Sequence, residues 1–515
     1  MLETFLLRQK QKIYPKHLLP SQSFFNVGNT RHSCTQHEYL RVGTYVYLAL
    51  PNLIFLGTWL QPCIGIPFII ALSYTINRSV QNKMEKNGTV QFTKSHLLFY
   101  AILALLLTWY VGIGNFQPQV VDYEKHHAVL RDLLLKNWPV TYTNHPFISE
   151  PVFLDYYLAW YLSPVFLAKL TSASFVELFV LIWSSIGLFL GFCWFVRIAK
   201  LKRFWWVLLL LFFGDLENVY GLLKFLGRGI IQGDYNVGLF LSELYTGDII
   251  FDNRTPSYAT FLTQYEWAPQ HTLPMLLATP LLLQNLLHPT KSDASILTLG
   301  LTLLWSPFVA LGLLPLVLLI LIKNTSSIFS IANVLGILLC LLFSSYYLAH
   351  LPQPIKSIWE ALPHINFFVK YPIFILVKFG IISLLVFFLI RAEQDYKYLL
   401  FLAVIVLAIF PLIFIGKNAD FAMRATGPAW YSLIFLVAKA MQANISLKLK
   451  YALVFIVMLC CFRYYFNGSH RVKKRYGPSV AQAETLTLIN KQAWFNTQYF
   501  GKVDSFFYKY LAKKP

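Results

Sequence analysis

Apolar side chains in this chain come in long runs, and the polar ones gather between them. A membrane-crossing helix needs about 20 mostly apolar residues, within a range of roughly 17–25. Runs of that kind occupy 44–60, 96–113, 175–196, 328–350, 371–390, 396–415 and 450–466. Shorter or interrupted runs occupy 62–76, 204–213, 269–287, 294–305, 307–322 and 427–441. Together they predict an all-α polytopic membrane protein with about 12–13 transmembrane helices. The stretch 152–170 is apolar too, but Asp155 and Pro164 interrupt it, so it reads as an interfacial or re-entrant element.

Lysine and arginine set the expected orientation, because short loops rich in them stay in the cytoplasm. Basic clusters lie in 1–43, in 77–95 and just after 196, where Arg197, Lys200, Lys202 and Arg203 crowd together. These segments are expected in the cytoplasm, and 114–152, 214–268 and 416–426 on the outer face. The chain then divides into a cytoplasmic N-terminal segment (1–43), a transmembrane domain (44–466) with outer loops 114–152 and 214–268, and a C-terminal tail (467–515). Helix counting puts the tail outside as well, in tension with its Arg471, Lys473, Lys474 and Arg475. The end of the tail, with Phe506, Phe507, Tyr508 and Tyr510 among lysines, fits a place on the bilayer surface.

Composition agrees with the runs. The chain is 57% hydrophobic and 13% charged, with a mean hydropathy of +0.55, whereas soluble domains carry about 25% charged residues. A water-soluble enzyme is excluded on this ground. The net charge of +20 is explained by the positive-inside bias and anionic headgroups, without a nucleic-acid partner. The six cysteines form no CxxC pair, so they frame neither a disulfide scaffold nor a zinc motif.

The acids are unevenly placed. Of the 23 Asp and Glu residues, 13 lie between Asp122 and Glu266, mostly in or beside the two long outer loops. Wet loops need polar residues, yet loops of this length exceed what joining helices requires. After Pro118 the first loop reads as an amphipathic helix from Val121. Val121, Ala128, Val129 and Leu133 are expected to face the membrane, and Trp138 and Tyr142 the headgroup layer. Asp122 and His126, four apart, share a face of this helix.

The run Asp122-Tyr-Glu-Lys-His-His, after a span ending Gly-Ile-Gly, resembles the first outer loop of the GT-C superfamily, multi-pass glycosyltransferases with polyprenyl-phosphate-linked sugar donors. LDYYLAWYLSPVFLAKL at 154–170, WAPQHTLP at 267–274 and DFAMRATGPAW at 420–430 are similar to an uncharacterised bacterial branch of this layout. Two features depart from it: 44–60 and 62–76 precede the acidic loop, and Trp205-Trp206 is followed by Val207, so the WWD motif of oligosaccharyltransferases is missing. The resemblance implies a cell-envelope enzyme of the bacterial inner membrane with a periplasmic or extracellular active face. It would move one sugar, with inversion, from a polyprenyl-phosphate carrier to an extracytoplasmic glycan, lipid or protein acceptor.

Such a transfer needs a base for the acceptor hydroxyl and cations for the leaving phosphate. Asp122 is the expected base, with a carboxyl raised by partial desolvation, and Glu124 the second choice. Arg424 is expected to grip the lipid phosphate bidentately, oriented by Asp420 four residues earlier, and Lys378 is an alternative. His126, Asp215, Glu217, Gln270 and His271 are the candidates for binding substrate. Asp122, Glu124, His126 and His127 complete no transition-metal motif; a weak Mg²⁺ or Mn²⁺ site stays open, and the metal ligands are unknown. No Gly-rich phosphate loop, GxSxG or dinucleotide fingerprint occurs. The alternative functional class is a transporter or flippase of a lipid-linked or anionic solute, and a third is a non-catalytic scaffold.

Overall fold

The computed structural model describes residues 29–81, 91–233, 236–238, 258–289, 293–351, 355–357, 360, 366–390, 394–415, 420–443, 446–461, 476–489 and 498–514, except 144 and 147. Helices dominate. In chain order they include α1 (Asn29–Thr58), α2 (Pro62–Gln81), α3 (Lys94–Tyr110), α4 (Tyr123–Leu135), α5 (Ala159–Leu170), α6 (Val176–Ile198), α7 (Val207–Phe212), α8 (Glu217–Gln232), α9 (Phe261–Trp267) and α10 (Pro269–Leu287). Then follow α11 (Ser295–Leu303), α12 (Pro307–Lys323), α13 (Ile331–Tyr347), α14 (Phe367–Ile375), α15 (Ile381–Leu389), α16 (Gln394–Ile409), α17 (Asp420–Ala425), α18 (Gly427–Gln442) and α19 (Leu447–Cys461).

Four helical stretches are long and apolar enough to cross a membrane: Glu38–Thr58, Ala173–Ile198, Phe367–Leu389 and Gln394–Leu412. A fifth is obtained if α7 and α8, bent by 54° at their junction, count as one broken span. This is an all-helical membrane architecture with fewer qualifying spans than the apolar runs predict. The reason is local. Residues 294–322 are split at Ser306-Pro307 into α11, of 9 residues, and α12, of 17. At about 1.5 Å per residue, α11 rises less than half the hydrocarbon thickness. Only 39% of the two spans Phe367–Leu389 and Gln394–Leu412 is buried. Phe368, Leu384 and Phe401 stand exposed on them, a surface that suits lipid and not water.

The core is one large cluster in which α6 packs against α3, α5 and α10, and α11 against α13. Close helix contact depends on small residues. A Cβ at Gly336 would lie 2.4 Å from the backbone of Ile296 and Leu297, and one at Gly312 would lie 2.0 Å from the Ala425 carbonyl oxygen. The first contact seats α13 on α11; the second seats α12 against the segment that carries Arg424.

Two sequence expectations change here. The helix in the first loop, α4, is a core element and not a surface helix: Ala128, Val129 and Leu133 are fully buried, and its apolar stripe packs on α5. Tyr142 is likewise buried, where it donates to Asp132 at 2.7 Å. The stretch 152–170 is built into the protein interior: β2 (Val152–Leu154) leads into α5, most of which is buried.

The C-terminal tail belongs to the same body. A small antiparallel sheet joins β1 (Thr141–Tyr142), β2 and β5 (Phe500–Lys502), with Phe153 opposite Thr141 and Gly501, while β3 (Ile355–Ser357) and β4 (Ile413–Ile415) form a separate antiparallel pair. Asp132 accepts from Thr485 at 2.8 Å and from the Leu486 amide at 3.0 Å. The tail therefore packs directly against the 114–152 loop. Its aromatic end is split: Phe507 and Tyr508 are buried, while Phe506 and Tyr510 are exposed. The basic residues 471–475 lie outside the described residues, as do Asp234, Glu243, Asp248 and Asp252 of the second loop.

Candidate functional site

Asp122 sits at the N-cap position of α4, but its side chain makes no capping hydrogen bond. Instead Lys125, one turn along, donates to Asp122 Oδ2 at 2.7 Å. Burial pushes the Asp122 carboxyl up, yet the charge and hydrogen bond of Lys125, with smaller pulls from His126 and Arg424, hold it below the ordinary aspartate value. The direction is opposite to the desolvated, raised carboxyl expected of a base, because the expectation left out the lysine three residues on.

Arg424 comes from the far end of the chain. It lies on α17, where Asp420 Oδ1 takes its Nη2 at 3.2 Å. Asp420 and Arg424 thus form the i, i+4 pair that their spacing implies. The guanidinium is near enough to Asp122, Tyr156, Tyr157 and His271 to act on all four electrostatically. Tyr156 and Tyr499 each feel both Asp122 and Asp420. Their rings lie 4.7 Å apart, and Tyr156 stacks on Tyr157 at 4.4 Å. So Asp122, Lys125, Tyr156, Tyr157, Gln270, His271, Asp420, Arg424 and Tyr499 form one electrostatically coupled cluster.

The histidines are buried beside these groups. His126 is fully buried, with Nδ1 2.6 Å from the Tyr161 hydroxyl and Nε2 3.4 Å from the Trp267 carbonyl oxygen. A carbonyl only accepts, so Nε2 carries the proton and Nδ1 accepts from Tyr161. Burial, then Lys125, lowers the His126 pKa to about 3, and the ring stays neutral. His271 is buried as well, with Nδ1 2.6 Å from Ser306 Oγ, which also caps α12 by accepting from the Val309 amide. Both rings fasten elements around the cluster; the substrate contact expected of His126 is closed off by its protein partners. Gln270 is different. Its Oε1 is buried and makes no hydrogen bond, and it adjoins Tyr156.

Three of the expected site residues lie elsewhere. Lys378 is in a π-helical turn, Leu376–Gly380, between α14 and α15. Its Nζ is 3.2 Å from Asp215 Oδ2 and is also bonded to Glu217, at the bend between α7 and α8. All three side chains are fully buried. Asp215 and Glu217 therefore neutralise a lysine inside the protein and are closed to a substrate at the cluster, and Lys378 is not placed to meet its phosphate. Glu124 points away from Asp122 and lines a separate cavity.

Among the described residues, no three His, Cys, Asp or Glu side chains gather as a metal nest. Lys125, Tyr156, Tyr157 and Tyr499 are the members that sequence reasoning missed. Lys125 was legible from its spacing to Asp122, and Tyr156-Tyr157 sits within the 154–170 stretch. Nothing local marks Tyr499, which reaches the cluster through the β2–β5 pairing. Compared with known proteins, the chain matches no family profile, no curated protein and no solved structure.

Proposed function

We propose that this chain is a membrane glycosyltransferase that moves a sugar from a polyprenyl-phosphate carrier to an acceptor hydroxyl outside the cytoplasm, with inversion. One observation carries the reading. Two segments some 300 residues apart bring a carboxylate, Asp122, and a guanidinium, Arg424, within electrostatic reach of each other beside Tyr156 and Tyr499. In this reading Arg424 and Lys125 hold the carrier phosphate, and Asp122 takes the proton of the attacking hydroxyl. A phosphate that draws Lys125 away from Asp122 also removes the main influence holding that carboxyl low, so donor binding makes the base stronger. Tyr156 and Tyr499 supply ring faces for the sugar, and Gln270 Oε1 supplies an acceptor for one of its hydroxyls.

The test is incubation of the purified protein with a polyprenyl-phosphate hexose and a panel of glycan and lipid acceptors. The reading expects release of carrier phosphate coupled to a product of inverted anomeric configuration. Absence of both, in protein that melts cooperatively, overturns it.

The transporter reading has one observation of its own, the buried Lys378–Asp215–Glu217 cluster at a broken span. Intramembrane charges at interrupted helices recur on solute and ion pathways. Movement of a lipid-linked sugar across a liposome bilayer, lost in Lys378→Met and kept in Asp122→Asn, would favour it.

A further inference from the structure

Behind α4 lies a cavity of about 380 Å³. Helix periodicity puts Asp122 and His126 on one side of α4 and Glu124 and His127 on another, with Tyr123 between them. Tyr123, Glu124 and His127 line the cavity. The opposite wall comes from the tail: Tyr476, Gly477, Pro478, Ala483 and Glu484. The size is at the lower end of small-ligand sites, which run from roughly 300 to 1,000 Å³.

The lining has a definite chemistry. Glu484 is exposed and, when ionised, its carboxylate only accepts hydrogen bonds. Glu124 is a second carboxylate, and the buried Gln119 adds an amide. Burial lowers the His127 pKa, and no lysine or arginine is among the described lining residues. The hydroxyl of Tyr123, which is almost wholly buried, makes no hydrogen bond. Tyr476 and Pro478 supply flat apolar faces. A ligand that fits must present donors along its edge and apolar C–H groups on its faces, and carry no negative charge. A neutral sugar ring has that surface.

We infer that this cavity is a saccharide-binding site, distinct from the cluster of Asp122 and Arg424. It takes one or two neutral pyranose units, with ring hydroxyls donating to Glu484 and Glu124 and a ring face against Tyr476. The site stands whether or not the chain catalyses transfer. Gly477 offers a way to close it, because a Cβ there would lie 3.6 Å from the His127 imidazole, an ordinary contact. A longer side chain then occupies the cavity without a backbone clash.

The experiment is saturation-transfer NMR on the full chain in nanodiscs, with methyl β-glucopyranoside and N-acetylglucosamine as probes and glucuronate as the anionic control. The expected result is saturable transfer to both neutral probes, with glucuronate at least about tenfold weaker. Gly477→Leu should weaken neutral binding about tenfold or more, and Glu484→Gln about fivefold. Asp122→Asn should leave it unchanged, since that carboxylate faces the other side of α4. No transfer to either neutral probe overturns the proposal, as does equal binding in Glu484→Gln, whose exposed side chain can be changed without unfolding the protein. Loss in Asp122→Asn with none in Gly477→Leu would move the sugar to the Asp122 cluster and overturn it equally. Failure of the transfer reaction alone would leave this result intact.

Discussion

His126 shows how one buried group sets a pH limit on the whole molecule. Its folded pKa of about 3 lies below the ordinary 6.5, so the folded state binds fewer protons than the unfolded one as pH falls through that range. Stability is complete above about 6.5 and declines below it, by up to about 1.4 kcal/mol per pH unit for each such group. His127, lowered in the same direction by burial, adds to the slope. Melting temperature measured in detergent at pH 7.5, 6.5 and 5.5 should change little over the first step and fall over the second, and His126→Gln should make that fall shallower. A flat profile would show that these rings charge freely in the native protein. Lys378 is a second residue-scale case. Lys378→Met leaves Asp215 and Glu217 buried without their ammonium partner, a loss of about 3–5 kcal/mol where no other group takes its place. Chemical or thermal unfolding would measure it, and a change under about 1 kcal/mol would mean that the cluster opens to water.

At the scale of elements, the position of Arg424 is a packing result. α12 touches the short α17 through Gly312, whose α-hydrogen faces the Ala425 carbonyl where an added Cβ would lie only 2.0 Å from the oxygen. Gly312→Ala must push α12 and α17 apart. The expected outcome is a loss of transfer of about tenfold or more, with a modest drop in melting temperature, although Gly312 lies outside the cluster. Unchanged kinetics would show that α17 tolerates the shift. This level also separates what was legible in the sequence from what was not. The apolar runs marked most helices, and the spacings Asp122–His126 and Asp420–Arg424 predicted the faces those pairs share. Burial of α4 was not legible, because a stripe such as Ala128, Val129 and Leu133 looks the same facing lipid as facing α5. Likewise Asp215 and Glu217 read as substrate-binding loop acids until Lys378, more than 160 residues later, comes to lie between them.

Over the whole molecule, the tail closes the structure. Asp132 binds Tyr142, Thr485 and the Leu486 amide at once, and β5 extends the sheet begun by β1 and β2. Asp132→Ala leaves those donors buried and is expected to cost about 2–4 kcal/mol and to expose the tail to protease; an unchanged digestion pattern would contradict that role. Because Tyr499 stands on the same segment, a loosened tail should also lower transfer. The account as a whole rests on Asp122 as the group that receives the acceptor's proton. The most direct measurement is the single-turnover rate of sugar transfer from a polyprenyl-phosphate hexose by Asp122→Asn protein with a melting temperature equal to that of the unsubstituted chain. The account predicts a fall of about a hundredfold or more, and an undiminished rate would contradict it.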